Sequence, residues 1–91
     1  MTAAPPDVRA WALRALGVTA GPRYSLGIFT ILAAALADPA PDIRLAAVDA
    51  VATGAAWREL RPPLERLLRD ERDPAIQEAT RGALRVLARR R

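Results

Sequence analysis

The chain of 91 residues contains no cysteine and no histidine, and all fourteen of its basic residues are arginine, so lysine is absent too. Without cysteine there are no disulfides and no thiolate chemistry. Without histidine the commonest zinc and haem ligand and imidazole acid/base catalysis are lost. Arginine stays charged, so it does not replace lysine as a tunable proton carrier. No Gly-rich phosphate loop, no nucleophile elbow and no serine beside a base occurs, and Tyr24 and Ser25 stand isolated. The chain therefore reads as non-catalytic, with no cofactor, no catalytic residue and no metal site. The mixed-charge turn Asp70, Glu71, Arg72 and Asp73 could attract a divalent cation, but it lacks the glycine and the alternating oxygen ligands of a calcium loop.

Aromatic residues are scarce, at 4%, although hydrophobic residues make up 52%. The apolar content is thus mostly alanine and leucine, which favour helices and let backbones pack closely. Long apolar runs are missing as well. The longest, Leu26 to Ala37, is 12 residues, and as a helix it spans only about 18 Å of a roughly 30 Å hydrocarbon core, so no membrane span is expected. The opening Met-Thr-Ala-Ala-Pro-Pro-Asp lacks the basic and apolar regions of a signal peptide, and a cytoplasmic location is the expectation. The net charge is +4, and the joint bias to arginine and alanine is of the kind a high-GC genome imposes through coding preference. A single domain, 1–91, is expected. Its core must be thin, since a chain this short removes only about 60 to 65% of its unfolded surface from water.

What is present is an internal repeat. Pro6-Asp7-Val8-Arg9, Pro41-Asp42-Ile43-Arg44 and Pro74-Ala75-Ile76-Gln77 align at offsets of 35 and 33 residues. A proline stands at each expected helix start, where its fixed φ and missing N–H cost nothing. Apolar residues then recur at helical spacing: Val8, Ala12, Ala15 and Leu16; Ile43, Ala47, Ala50 and Val51; Ile76, Thr80, Ala83 and Leu84. Asp73 can cap the third copy, and Gly17 and Gly54 stand where the first two are expected to stop. The intervening segments repeat too, with Ile28, Leu32, Ala35, Leu36 and Asp38 matching Leu60, Leu64, Leu67, Leu68 and Asp70 at an offset of 32. Five helices are predicted, at about 6–16, 22–37, 41–53, 56–70 and 74–89. Gly21-Pro22 starts the second, and Pro62-Pro63 kinks the fourth, with a short separate turn at 56–61 as the alternative. Links this short force neighbouring helices to run antiparallel.

A leucine-rich helix ending in Leu-Ala-Asp or Leu-Arg-Asp, a proline-bearing turn, and then Asp-Ile-Arg-x-Ala-Ala-Val-x-Ala-Val resembles the HEAT repeat family, related to the phycobilin-lyase-type repeats of bacteria. The resemblance covers nearly the whole chain and implies an all-α fold, a short right-handed α-solenoid of about five antiparallel helices making two and a half repeats. It places the family's aspartate and arginine on Asp38 and Arg44, as a structural ladder tying a turn to the next helix. The neighbouring copies depart from the pattern: Ala3 stands where the first aspartate would be, Gln77 replaces the last arginine, and Glu71-Arg72-Asp73 carries one extra residue. Of activity the resemblance says little, because folds of this kind host many functions. It implies a scaffold that binds another protein. In such stacks the end units leave apolar surface uncovered, and here the first helix lacks its hairpin partner.

Candidate binding residues follow from that. Trp11 and Leu13 would serve the open N-terminal end, by folding over it or by contacting a partner, and homodimerisation through that end would bury it. Arg14, Asp49, Arg81 and Arg85 fall off the apolar stripe and would line the inner surface. Trp57 reads as packing at the start of its helix. Arg81, Arg85 and Arg89 share one face of the last helix, followed by Arg90 and Arg91. Solvated charges complementing a helix C-terminus account for them. The functional alternative is a nucleic-acid phosphate backbone, although no aromatic is interleaved to stack on bases.

Overall fold

The computed structural model describes residues 5–20 and 23–89, and all regular structure among them is helical. The order is α1 (Pro6–Ala20), α2 (Leu26–Leu36), α3 (Pro41–Thr53), a 3-10 turn at Arg58–Leu60, α4 (Arg61–Asp70) and α5 (Pro74–Arg89). Helices α1, α3 and α5 each open on the repeated proline, as the alignment predicts. Their caps differ. Asp73 Oδ1 accepts from the Ala75 amide at 2.8 Å, while Ala40 has no capping side chain and Asp38 Oδ1 takes the Ala40 amide instead, also at 2.8 Å.

Three expected boundaries need correction. Gly17 does not end α1, which runs on to Ala20. Ser25, set aside in the sequence, is the N-cap of α2, accepting from the Ile28 amide at 3.4 Å; the expected start at Gly21-Pro22 lies outside the described residues. Pro62 and Pro63 kink nothing, because the chain makes a separate turn at Arg58–Leu60 and α4 begins afresh at Arg61, with its prolines in the first turn. There the missing N–H groups would have had no intrahelical partner anyway.

Helices α1, α3 and α5 are successive neighbours, while α2 lies on α3, α4 on α5, and α2 touches α4. The shortest dimension of the molecule is 16 Å, which fits two layers of helices with axes about 9 Å apart. Direction follows from contacts. Arg9 and Gly17 of α1 meet Asp38 and Ala50, before and late in α3, so α1 and α3 run the same way. Tyr24, just ahead of α2, packs on Trp57, just past α3, so these two helices form an antiparallel hairpin.

The core is centred on α3, whose Ile43, Ala46, Ala47, Val48, Ala50 and Val51 are all buried. The predicted stripe holds for α3, and on α5 for Ile76, Thr80 and Ala83; the Thr80 hydroxyl is satisfied by donating to the Ile76 carbonyl at 2.7 Å. For α1 the stripe does not hold. Val8 and Ala12 are exposed, Ala15 and Leu16 only half-buried, and the helix buries Ala10, Leu13 and Gly17 instead. The stripes on α3 and α5 lie against the preceding hairpin helix and, for Ala50, against Gly17 of α1; α1 has no preceding helix among the described residues.

Gly17 and Gly54 set how closely α1 and α3 approach. A Cβ on Gly17 would lie 2.5 Å from the Ala50 carbonyl oxygen, and one on Gly54 would collide with the Gly17 carbonyl. Both obstacles are backbone, so relief requires moving a helix. Gly54→Ala is expected to destabilise by about 1–3 kcal/mol, the range for overpacking. Gly82, inside α5, has only the far end of Arg85 within 4 Å. Gly82→Ala should therefore stabilise, by about 0.5–1 kcal/mol, through a lower unfolded-state entropy. Paired thermal melts that show the same sign for both would contradict this account of the α1–α3 contact.

Candidate interaction surface

Along one edge of the molecule, side chains from α1, α3 and α5 hold the turns that precede α3 and α5. The third residue after each repeated proline, Arg9, Arg44 or Gln77, points to that edge. Arg9 Nη2 donates to the Asp38 carboxylate at 2.7 Å. Arg44 makes a two-point pair with Glu71, Nε to Oε1 at 2.7 Å and Nη2 to Oε2 at 3.1 Å, while its Nη1 donates to the carbonyls of Asp38 at 2.9 Å and Pro39 at 3.0 Å. Gln77 Nε2 donates to the Glu71 carbonyl at 2.6 Å. Asp38 and Glu71 both stand three residues before a proline, and each binds a donor from the previous unit through its carboxylate and from its own unit through its carbonyl.

This corrects the sequence register. The counterpart of Asp38 is Glu71 and not Asp70; the apparent extra residue vanishes when the count runs back from Pro41 and Pro74. Asp38 and Arg44 are joined, but through the Asp38 carbonyl, and the ion-pair partner of Arg44 is Glu71. Gln77, a departure from the repeat, keeps the bond within its unit and carries no charge for a further carboxylate.

The relay explains the carboxylates' acidity. Hydrogen bonds from Arg44, and then from the Asp73 and Arg72 amides, hold Glu71 below its ordinary range against the opposing effect of burial. The Ala40 amide, followed by Arg9, does the same for Asp38. Arg44 is raised, chiefly by its bond to Glu71. Since the folded carboxylates bind protons less readily than the unfolded ones, their contribution is complete above about pH 5 and is lost as the pH falls through the carboxylate range. Acid titration of stability should show that loss, and Glu71→Gln should flatten it. Glu71→Ala, which leaves the half-buried Arg44 without its carboxylate partner and with only the Asp38 and Pro39 carbonyls, is expected to cost about 2–4 kcal/mol at neutral pH. A pH profile unchanged in the Gln variant would remove Glu71 from this role.

The surface left open is the outer side of α1. Trp11 is 71% exposed, Val18 71% and Val8 49%, and spacing turns all three away from the α3-facing side made by Ala10, Leu13 and Gly17, with Val8 farthest round. Leu26 and Ile31 of α2 are also exposed beside it. Between α1 and α2 runs an apolar groove of about 410 Å³, lined by Ala12, Leu13, Leu16, Ile31 and Ala34, with Asp38 at its edge. The other three aromatics gather elsewhere: Trp57 is 5% exposed, edge-on to Tyr24 at 5.2 Å, and Tyr24 lies 6.1 Å from Phe29. Trp57 thus has the packing role expected of it, and Trp11 stands apart.

Other candidates from the sequence are placed as follows. Leu13 is corrected: it is 7% exposed and belongs to the core against α3, so it is not free to contact a partner. Arg14 and Asp49 come together as an exposed ion pair of 3.3 Å between α1 and α3, and neither is paired with Arg81 or Arg85. Arg81 and Arg85 share Glu78, at 3.4 and 3.6 Å. Arg89 is exposed, and Arg90 and Arg91 lie outside the described residues. The Glu71 carboxylate is fully engaged by Arg44 and two backbone amides, which leaves it no room for the cation considered above.

Fold and surface together define an all-α, two-layer helical protein with one apolar end. No protein-family model, curated protein or solved structure matches the chain. None of the described helices is long and apolar enough to cross a membrane. The two indoles should separate the two roles cleanly. Trp57→Ala is expected to cost about 3–5 kcal/mol by emptying a core site, whereas Trp11→Ala should stay within about 0.5 kcal/mol of the native chain. Equal losses in chemical denaturation would place Trp11 in the core.

Proposed function

We propose that the chain is a non-catalytic protein-interaction module of the HEAT-repeat type, a short right-handed solenoid of two and a half units acting as a scaffold in the cytoplasm. The repeated unit is supported by the bonds of Arg9, Arg44 and Gln77 to the turn edge, Arg44 matching Arg9 in its carboxylate bond and Gln77 in its carbonyl bond. The docking role rests on one observation: among the described residues, the large apolar side chains that remain exposed, from Val8 to Ile31, all belong to α1, α2 and the segment joining them, and none to α3, α4 or α5. Exposed apolar side chains gathered on two adjacent helices, a tryptophan among them, have the composition of an interface centre.

The alternative is a phosphate-backbone binder acting through Arg81, Arg85, Arg89, Arg90 and Arg91. It has weaker support, because two of these arginines already share Glu78. Retention on heparin that collapses steeply between low and moderate salt would favour it.

A photo-crosslinking residue introduced at position 11, with position 69 on exposed α4 as control, tests the docking reading in the cells that make the protein. A defined protein adduct at 11 and none at 69 is the expected result. No adduct at 11, or the same adducts at both, would remove the α1 face as a docking surface.

A further inference from the structure

We infer that the occupant of the α1 face is a second copy of this chain, packed α1 against α1 about a two-fold axis, with each Trp11 seated on the partner's Ala15. The inference rests on the docking reading above and adds the partner's identity and register.

The spacing calls for a helix. Val8, Trp11, Ala15 and Val18 follow one another at intervals of three, four and three residues, the seam by which one α-helix packs along another. The seam also fits its own reverse. Position 8 mirrors 18 about residue 13, and 11 mirrors 15, so an antiparallel copy sets valine on valine and the indole on a methyl group. Large against small is what close packing requires at facing positions.

The far end of the molecule excludes the competing self-association. The positions of α5 that correspond to Ala10, Leu13 and Gly17 of α1 are Glu78, Arg81 and Arg85, a group tied by ion pairs of 3.4 and 3.6 Å. Laying the apolar α1 face on it, as a head-to-tail array would, strips water from three charges and returns no new partner for them. The seam residues of a second copy are uncharged, with the exposed Asp7 and Arg14 beside them, and an interface made of one patch meeting itself closes after two copies. Arg14 flanks the seam but brings its own counter-ion, Asp49. The seam and its margin on α2 would bury on the order of 1,000 Å² in total, the lower limit for a specific contact, so the dimer is reversible.

Sedimentation equilibrium of the purified chain from micromolar to millimolar concentration tests this. The mass should rise from 9.8 kDa toward twice that value. Trp11→Asp should hold it at the single-chain mass while circular dichroism and melting temperature stay near native, because the side chain is exposed. Register is tested by exchanging sizes. Trp11→Ala and Ala15→Trp should each weaken the dimer about tenfold or more, and the double variant should recover most of the loss, since it restores one indole facing one methyl group. A single-chain mass at millimolar concentration, a dimer indifferent to Trp11→Asp, or a double variant as weak as the singles would each overturn the inference. In the first case, an adduct to a different protein at position 11 would leave the docking reading standing.

Discussion

The alignment of α1, α3 and α5 depends on two carboxylates, Asp38 and Glu71, each three residues ahead of a helix-starting proline. Each takes an arginine from the helix of the previous unit, Asp38 together with the Ala40 amide and Glu71 together with the amides of Arg72 and Asp73, so moving a helix along its axis would break bonds at both. Apolar packing alone would not fix that register. The α1–α3 contact is made largely by alanine and glycine, and small side chains interlock weakly. The directional bonds at the edge supply the specificity that the smooth surfaces lack.

The same smoothness explains the glycines. With Gly17 and Gly54 opposite backbone atoms, the helices approach until main chain meets main chain, which partly offsets the few large side chains in the core. Trp57, Tyr24 and Phe29 supply bulk where the α2–α3 hairpin needs it, over the C-terminal end of α3. A thin core of this kind can bury one face of each helix but has nothing to spare for α1's second face.

The two ends of the molecule consequently differ in chemistry. On α5 the outward positions carry Glu78, Arg81 and Arg85 and are at home in water; on α1 they carry Val8, Trp11 and Val18. A structure needing no partner would place polar residues at both ends. The proposed docking role and the two-fold pairing both draw on this asymmetry, and neither needs a catalytic group.

Residues 1–91 by themselves determined the helical class, the three proline-started copies and the apolar stripe on α3, because composition and a period of 3.6 residues are local properties that survive without knowledge of neighbours. The tertiary structure alone decided the rest. Leu13 went inward because α3 lies on that side of α1; Glu71 emerged as the partner of Arg44, 27 residues away; and Gly17 proved to be a contact point inside a helix that the sequence had expected to end there. Each of those depends on which surfaces meet, and a pairing across helices leaves no periodic trace along either one.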